Sequence, residues 1–201
     1  MKKIVFVIIS LILISCKQES IKQHQELKKD LVNEKLSYEV INHILESIPK
    51  DERSVSNFLA YDNEQISEQE IKSNDYLGIS KMDTLFSKLD VKYIIEQNNE
   101  RRNFSLNQNF IKSKTIIPNK KLKEFSEQTP NGNNFWGNYS KVYGKTGYYV
   151  VSKPLFSLNK EIVIISIGHR CGELCGGGST IILKKINGKW KFIGELLNWQ
   201  S

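Results

Sequence analysis

The sequence predicts an α+β fold in which helices precede an antiparallel sheet, and three observations support this order. An amphipathic helical pattern runs up to Ile48, whereas β-rich runs begin only at Tyr148. The last two runs are separated by Asn187-Gly188, the strongest short-range signal for a β-hairpin. Because helical and β-rich segments are grouped along the chain and do not alternate, we expect N-terminal helices packed on a C-terminal meander.

Residues 1–15 have the features of an export signal. Two lysines follow Met1, and an apolar run over residues 4–14 is interrupted only by Ser10. A run of that length spans roughly 16 Å as a helix, about half of the hydrocarbon core of a bilayer, which is too short for a stable membrane span. The run ends in Leu13-Ile14-Ser15-Cys16, which resembles the lipobox of bacterial lipoproteins.

This resemblance implies a membrane-lipid anchor on Cys16. It implies that a diacylglyceryl group is attached to the cysteine sulfur, that the chain is cut before this residue, and that the new amino group is acylated. Several acyl chains hold a protein firmly on a membrane. Lys17 comes next, and no acidic residue of the kind associated with inner-membrane retention is found there, so we expect the outer membrane. The alternative is an ordinary secretory leader that ends at a cysteine by chance.

Beyond the leader we expect a lipidated tether over residues 16–25 and a single α+β domain over residues 26–201. Apolar residues recur at steps of three and four over residues 21–48, which predicts an amphipathic helix that ends at Pro49. The polar face of this helix mixes both charges, which favours packing on a core over lying on a membrane.

The middle of the chain gives weaker signals. Residues 50–80 are ambiguous except for a short helix near residues 67–73. Residues 83–89 and 90–98 are typical of two helical segments with aspartates as caps. Residues 103–138 are rich in asparagine but contain many apolar side chains, which predicts packed loop and short strand, with a turn at Asn131-Gly132.

The last third contains clear strands. Residues 148–151 are β-rich, and residues 162–167 form a continuous apolar run, typical of a strand buried on both faces. Residues 179–186 and 189–193 are joined by Asn187-Gly188 and predict a hairpin.

Two cysteines lie between two of these strands, within the segment His169-Arg170-Cys171-Gly172-Glu173-Leu174-Cys175-Gly176-Gly177-Gly178. If Cys16 carries lipid, as the lipobox resemblance implies, Cys171 and Cys175 are left as a pair in an oxidising compartment. If three residues turn the chain, the cysteines face each other across a hairpin mouth, where opposed Cα atoms lie about 4.5–5.5 Å apart, within disulfide reach. We therefore expect a disulfide, with the glycines supplying positive φ or a bulge.

Two chemical alternatives use the same segment. A metal site would join His169, Cys171 and Cys175, but structural zinc requires four ligands, and His24 and His43 lie far away on the N-terminal helix. We expect no metal and no cofactor.

The second alternative is an enzyme in which His169 acts as a base for Cys171 or Cys175 as a nucleophile. The only nearby carboxylate, Glu173, belongs to the turn, so no group is evident that would orient the histidine. These residues are therefore weak catalytic candidates.

The C-terminal part also resembles a group of small bacterial envelope lipoproteins with no assigned activity. That group carries an S-x-P-x-F-S strand, then C-G-x-x-C-G-x-G, then a hairpin ending in G-K-W. The matching positions here are Ser152, Pro154, Phe156 and Ser157, then Cys171, Gly172, Cys175, Gly176 and Gly178, then Gly188, Lys189 and Trp190. Residues 89–93 with Gln97 are similar to the start of a helix in the same group. The resemblance implies relatedness and no activity.

The positive charge of the chain does not by itself indicate a nucleic-acid partner. The formal charge of +7 is almost entirely lysine, and arginine occurs only at Arg53, Arg101, Arg102 and Arg170. Export and the lack of an arginine-aromatic stripe argue against nucleic acid. We expect a non-catalytic envelope lipoprotein that binds a protein or small-molecule partner, with the cysteine-histidine enzyme and an inhibitor or immunity-type lipoprotein as alternatives.

Overall fold

The structure, a computed structural model, describes residues 34–48, 56–72, 85–127 and 134–200. The expected leader, Cys16, the tether, Pro49 and the Asn131-Gly132 turn lie outside the described residues. The described strands form one sheet in the order β2-β1-β3-β5-β6-β7, with β4 also paired to β5. They are β1 (Phe58–Asp62), β2 (Thr115–Ile116), β3 (Tyr148–Ser152), β4 (Leu155–Phe156), β5 (Ile162–Gly172), β6 (Cys175–Ile186) and β7 (Lys189–Gln200).

The sheet is mixed, so the expectation of a purely antiparallel meander was wrong. Strands β3, β5, β6 and β7 are antiparallel neighbours, as the hairpin signals predicted. Strand β1, however, runs parallel to both β2 and β3. Parallel neighbours need long crossover connections, and no local turn signal marks them in the sequence.

Five α-helices lie in the described residues, one before β1 and four between β1 and β3 in the sequence. They are α1 (Glu34–Ser47), α2 (Glu68–Lys72), α3 (Lys88–Asn99), α4 (Asn119–Glu127) and α5 (Phe135–Tyr143). Within the described residues, α1 and α2 agree with the predicted helices. The region predicted as packed loop and short strand does contain the short strand β2, but it also contains α4 and the start of α5, which were not predicted. Their short apolar faces meet in an aromatic cluster with β3, and such local clusters give little periodic signal.

Of the two helical segments expected over residues 83–98, the second is α3, but the first was wrong in its described part, because residues 85–87 are not helical. The N-cap of α3 is Ser87, whose side chain accepts a hydrogen bond from the Asp90 backbone N–H. Asp90 is not the cap but the third residue of a capping box, and its carboxylate accepts a hydrogen bond from the Ser87 backbone N–H at 2.9 Å.

Helices cover both faces of the central strands. Val163 and Ile165 of β5 pack in one core cluster with α1, and Ile162 and Ile164 pack in another with α3. The four side chains alternate between the two faces and all are buried, as the continuous apolar run predicted. The Asn187-Gly188 turn is also confirmed, with φ of 51° and 75°.

Helix α3 is fastened to the sheet by side-chain amides. Gln97 is buried, and its Nε2 donates to the Phe156 carbonyl at 2.7 Å while its Oε1 accepts from the Phe156 N–H at 3.0 Å. Asn98 pairs in the same way with the backbone of Ile66, at 2.7 and 3.2 Å. Neither α3 nor any other helix in the described ranges combines the length and apolar character needed to cross a bilayer.

Candidate functional site

The cysteine hairpin brings Cys171 and Cys175 to disulfide distance, with their Cα atoms 5.1 Å apart. Gly172 pairs with Cys175, so two residues, Glu173 and Leu174, turn the chain where three were expected. A register shift between Arg170 and Gly172 places Cys171 in a bulge, which turns its sulfur toward Cys175. The expected proximity of the two cysteines is therefore confirmed by a slightly different hairpin.

The glycines after Cys175 do not serve the purpose expected of them. Among the described glycines, positive φ occurs only at Gly144 and Gly188, both outside this segment. Gly178 instead faces Gly168 across the β5–β6 pair and Trp199 across the β6–β7 pair. A Cβ on Gly178 would lie 2.7 Å from the Ile167 carbonyl oxygen and 2.8 Å from the Trp199 indole nitrogen. Glycine is required here because the Ile167 carbonyl and the Trp199 indole leave no room for a Cβ.

His169 lies on β5, two residues before Cys171, and its ring packs against Tyr149 of β3. The two residues are paired in the sheet, and their ring centroids are 5.0 Å apart. Its Nε2 atom is buried and has no hydrogen-bond partner among the described residues. Burial, and then the charge of Lys114, lower the pKa of His169, so the ring is neutral at pH 7.

This arrangement does not support the nucleophile alternative. Cys171 and Cys175 are at disulfide distance, and a disulfide has no thiolate to act as nucleophile. Glu173 lies exposed in the turn, and the structure records no hydrogen bond from it to His169. Within the described ranges, no group of three or more His, Cys, Asp or Glu side chains is arranged to hold a metal ion.

A second candidate site, which the sequence did not indicate, is a concave pocket of about 250 Å³ at the carboxyl ends of β1 and β2. Four of its side chains are polar, and the remainder form an apolar wall. The polar ones are Asn63, Arg102, Ser105 and Asn119, and the apolar ones are Tyr61, Phe104, Leu106, Ile116, Ile117 and Pro118. We call this the β1–β2 pocket.

Buried cationic groups lie behind one wall of the β1–β2 pocket. The Tyr61 hydroxyl donates to the Arg101 carbonyl at 2.6 Å, and burial raises the pKa of Tyr61 to about 12. Arg101 is 1% exposed, and its Nε and Nη2 groups have no hydrogen-bond partner among the described residues. Lys153 Nζ lies 5.9 Å from the Phe104 ring centroid, and burial lowers the pKa values of both Lys153 and Arg101.

One sequence signal could have indicated this pocket. In a chain with only four arginines, two of them are adjacent, at Arg101 and Arg102. Arginine holds planar anions better than lysine does, so an arginine pair in a lysine-rich chain is informative. The position of β1 and β2 beside it could not be derived, because their parallel pairing is a long-range property.

Comparison with known proteins adds no family to these observations. No family model matches the chain, and no curated protein or solved structure matches it significantly.

Proposed function

We propose that this protein is an exported envelope lipoprotein, anchored through lipid on Cys16, whose α+β domain binds a partner without catalysing a reaction. The lipobox-like segment supports the anchor, and the position of Lys17 supports the outer membrane. The observation that carries the rest is the pairing of Cys171 with Cys175 at disulfide distance, because such a bond persists in an oxidising compartment and removes the nucleophile and metal ligands.

The resemblance to small envelope lipoproteins is consistent with this proposal, because its matching residues have structural tasks. Ser152 is buried, and its hydroxyl accepts the Ser166 N–H at 2.9 Å where β3 passes into β4. Ser157 closes the β4–β5 turn by accepting from the Ile162 N–H at 3.0 Å. Hydrogen bonds of this kind, from the backbone to Ser152 and Ser157, stabilise a fold and do not require that the two serines take part in a reaction.

Intact mass analysis of the protein extracted from membranes tests the proposal. We expect a mature chain that begins at Cys16 with acyl groups, and alkylation of Cys171 and Cys175 only after reduction. A Cys16→Ser variant should leave the membrane fraction, whereas a Cys171→Ser/Cys175→Ser variant should remain there as the matched control. An intact N-terminus, or a cut elsewhere without acyl groups, overturns the anchor; alkylation without reduction overturns the account of the two cysteines.

A further inference from the structure

The β1–β2 pocket lies at the carboxyl end of β2 and beside the carboxyl-terminal half of β1. Strands β2, β1 and β3 run side by side in one direction, and the pocket is lined by the ends of β1 and β2, the residues that follow them, and residues within 102–106. In open sheets with parallel strands, ligands bind in crevices outside the carboxyl ends of the strands. The location alone therefore makes this pocket a candidate for ligand binding.

The polar side chains of this pocket are not used by the fold. Within the described ranges, the side chains of Asn63, Arg102 and Asn119 make no hydrogen bond or ion pair with another residue. Arg102 carries the only charge among the lining residues and is exposed to solvent. Side chains that contribute nothing to folding but converge on one concavity remain available to a ligand.

The charges around the pocket favour an anion. Behind the wall, the charges of Asp62 and Glu64 act on Arg101, and the charge of Glu100 acts on Lys153, so acids offset both of these cations. Arg102 is the charged residue among those that line the pocket, and it has no ion pair within the described ranges.

The apolar wall and the volume of the pocket restrict the polarity and the size of the ligand beyond its anionic group. Phe104, Leu106 and Ile116 are partly exposed and face the same concavity as Arg102. The volume of about 250 Å³ lies just below the range of pockets that hold drug-sized molecules, roughly 300–1,000 Å³. The ligand that fits is therefore small, with one anionic end and a short apolar body.

We infer that the β1–β2 pocket binds a small organic carboxylate, whose carboxyl group is held by Arg102 and whose apolar part lies against Phe104 and Leu106. A guanidinium holds a carboxylate through two parallel hydrogen bonds, and Asn63 and Asn119 supply further donors. This inference rests on the proposal that the exported domain is a binding domain, and it names the class of its ligand.

Calorimetric titration of the full chain in detergent micelles tests the inference, with benzoate as the probe and benzamide as its neutral isostere at constant ionic strength. We expect benzoate to bind with a dissociation constant of about 1 mM, because so small a ligand makes few contacts and must offset the entropy lost on binding. Benzamide should bind at least tenfold more weakly, because a charge-assisted pair is lost.

Three variants separate the outcomes. Arg102→Gln should weaken benzoate binding at least tenfold, whereas Arg170→Gln, which changes an exposed arginine over Trp199, should leave it unchanged. Leu106→Trp should fill the pocket and abolish binding. Equal affinity of benzoate and benzamide, equal loss in both arginine variants, or no heat for the wild-type chain overturns the inference. None of these results bears on whether intact mass analysis finds acyl groups on Cys16, so the lipid anchor is tested separately.

Discussion

Gln97 shows how one side chain can complete a sheet. Strand β4 has only two residues, and its far edge has no neighbouring strand among the described residues. The Gln97 amide donates to the C=O of Phe156 and accepts from its N–H, as another strand would. Since all of these groups are buried, the pairing has no competition from water, and its loss would leave two backbone groups unsatisfied.

We therefore expect Gln97→Met, which keeps the length of the side chain, to lower the free energy of unfolding by about 3 kcal/mol. Each buried group left without a partner costs about 1–3 kcal/mol. Lys92→Met is the matched control, since Lys92 is exposed on the same helix, and it should change stability by less than about 0.5 kcal/mol. Urea denaturation followed by circular dichroism measures both values. Similar losses in the two variants would contradict a special role for the amide.

At the scale of elements, the start of α3 is linked to the β4–β5 turn through one carboxylate. The Asp90 side chain accepts hydrogen bonds from Ser87 and from the backbone N–H of Leu158 at 2.9 Å. Burial alone would raise the pKa of Asp90, but the hydrogen bonds from Ser87 and Leu158 together outweigh it, and the pKa is lowered from 3.8. The folded state therefore favours the carboxylate, and the contact stabilises the protein while Asp90 is ionised.

The sign of the pH dependence follows from this shift. A group whose pKa is lower in the folded chain contributes fully above its ordinary value and loses that contribution as the pH falls through the lowered value. We expect Asp90→Asn to be less stable than the wild type above pH 3.8, with a difference that shrinks below it. Glu173→Gln, in the exposed hairpin turn, is the control. Urea midpoints measured from acid to neutral pH test this, and a difference that does not change with pH would contradict it.

Sequence patterns identified the elements whose signals are local. The Asn187-Gly188 turn, the apolar run of β5 and the amphipathic face of α1 each depend on residues within one segment, and each is found in the structure. Strand β1 and the parallel pairing of β2 were missed because these strands contain five and two residues and are paired with partners far along the chain. The β1–β2 pocket was missed with them, whereas the cysteine pair was found because its spacing is local.

The same contrast applies to the glycines of the hairpin. Composition suggested conformational freedom, but the structure uses Gly168 and Gly178 for the absence of a side chain. Backbone atoms of the neighbouring strand and the Trp199 side chain, at the end of β7, both lie where a Cβ would be. A requirement set by a residue so far along the chain has no signature in the segment itself.

At the scale of the whole molecule, the three tryptophans lie in different parts of the domain: Trp190 and Trp199 in β7, and Trp136 in α5. Trp190 belongs to the core cluster with α1, and Trp136 packs against the aromatic cluster of α4 and α5. Trp199 covers the glycines beside the cysteine hairpin, with the Arg170 guanidinium 5.0 Å from its ring. Each indole therefore reports on a different region of the domain.

Because helices cover both faces of the sheet and its strands are shared among the clusters, we expect the described domain to unfold as one cooperative unit. In three variants of the full chain, each keeping one tryptophan with the other two replaced by phenylalanine, the fluorescence midpoint in urea should equal the midpoint from circular dichroism. The comparison is made within each variant, so any stability lost by replacing an indole cancels. The variant that keeps only Trp199 tests the prediction most severely, because Trp199 lies at the end of an edge strand, where local opening is easiest. An earlier fluorescence midpoint for Trp199 alone would mean that the cysteine hairpin opens before the core, and that the sheet is not a single cooperative structure.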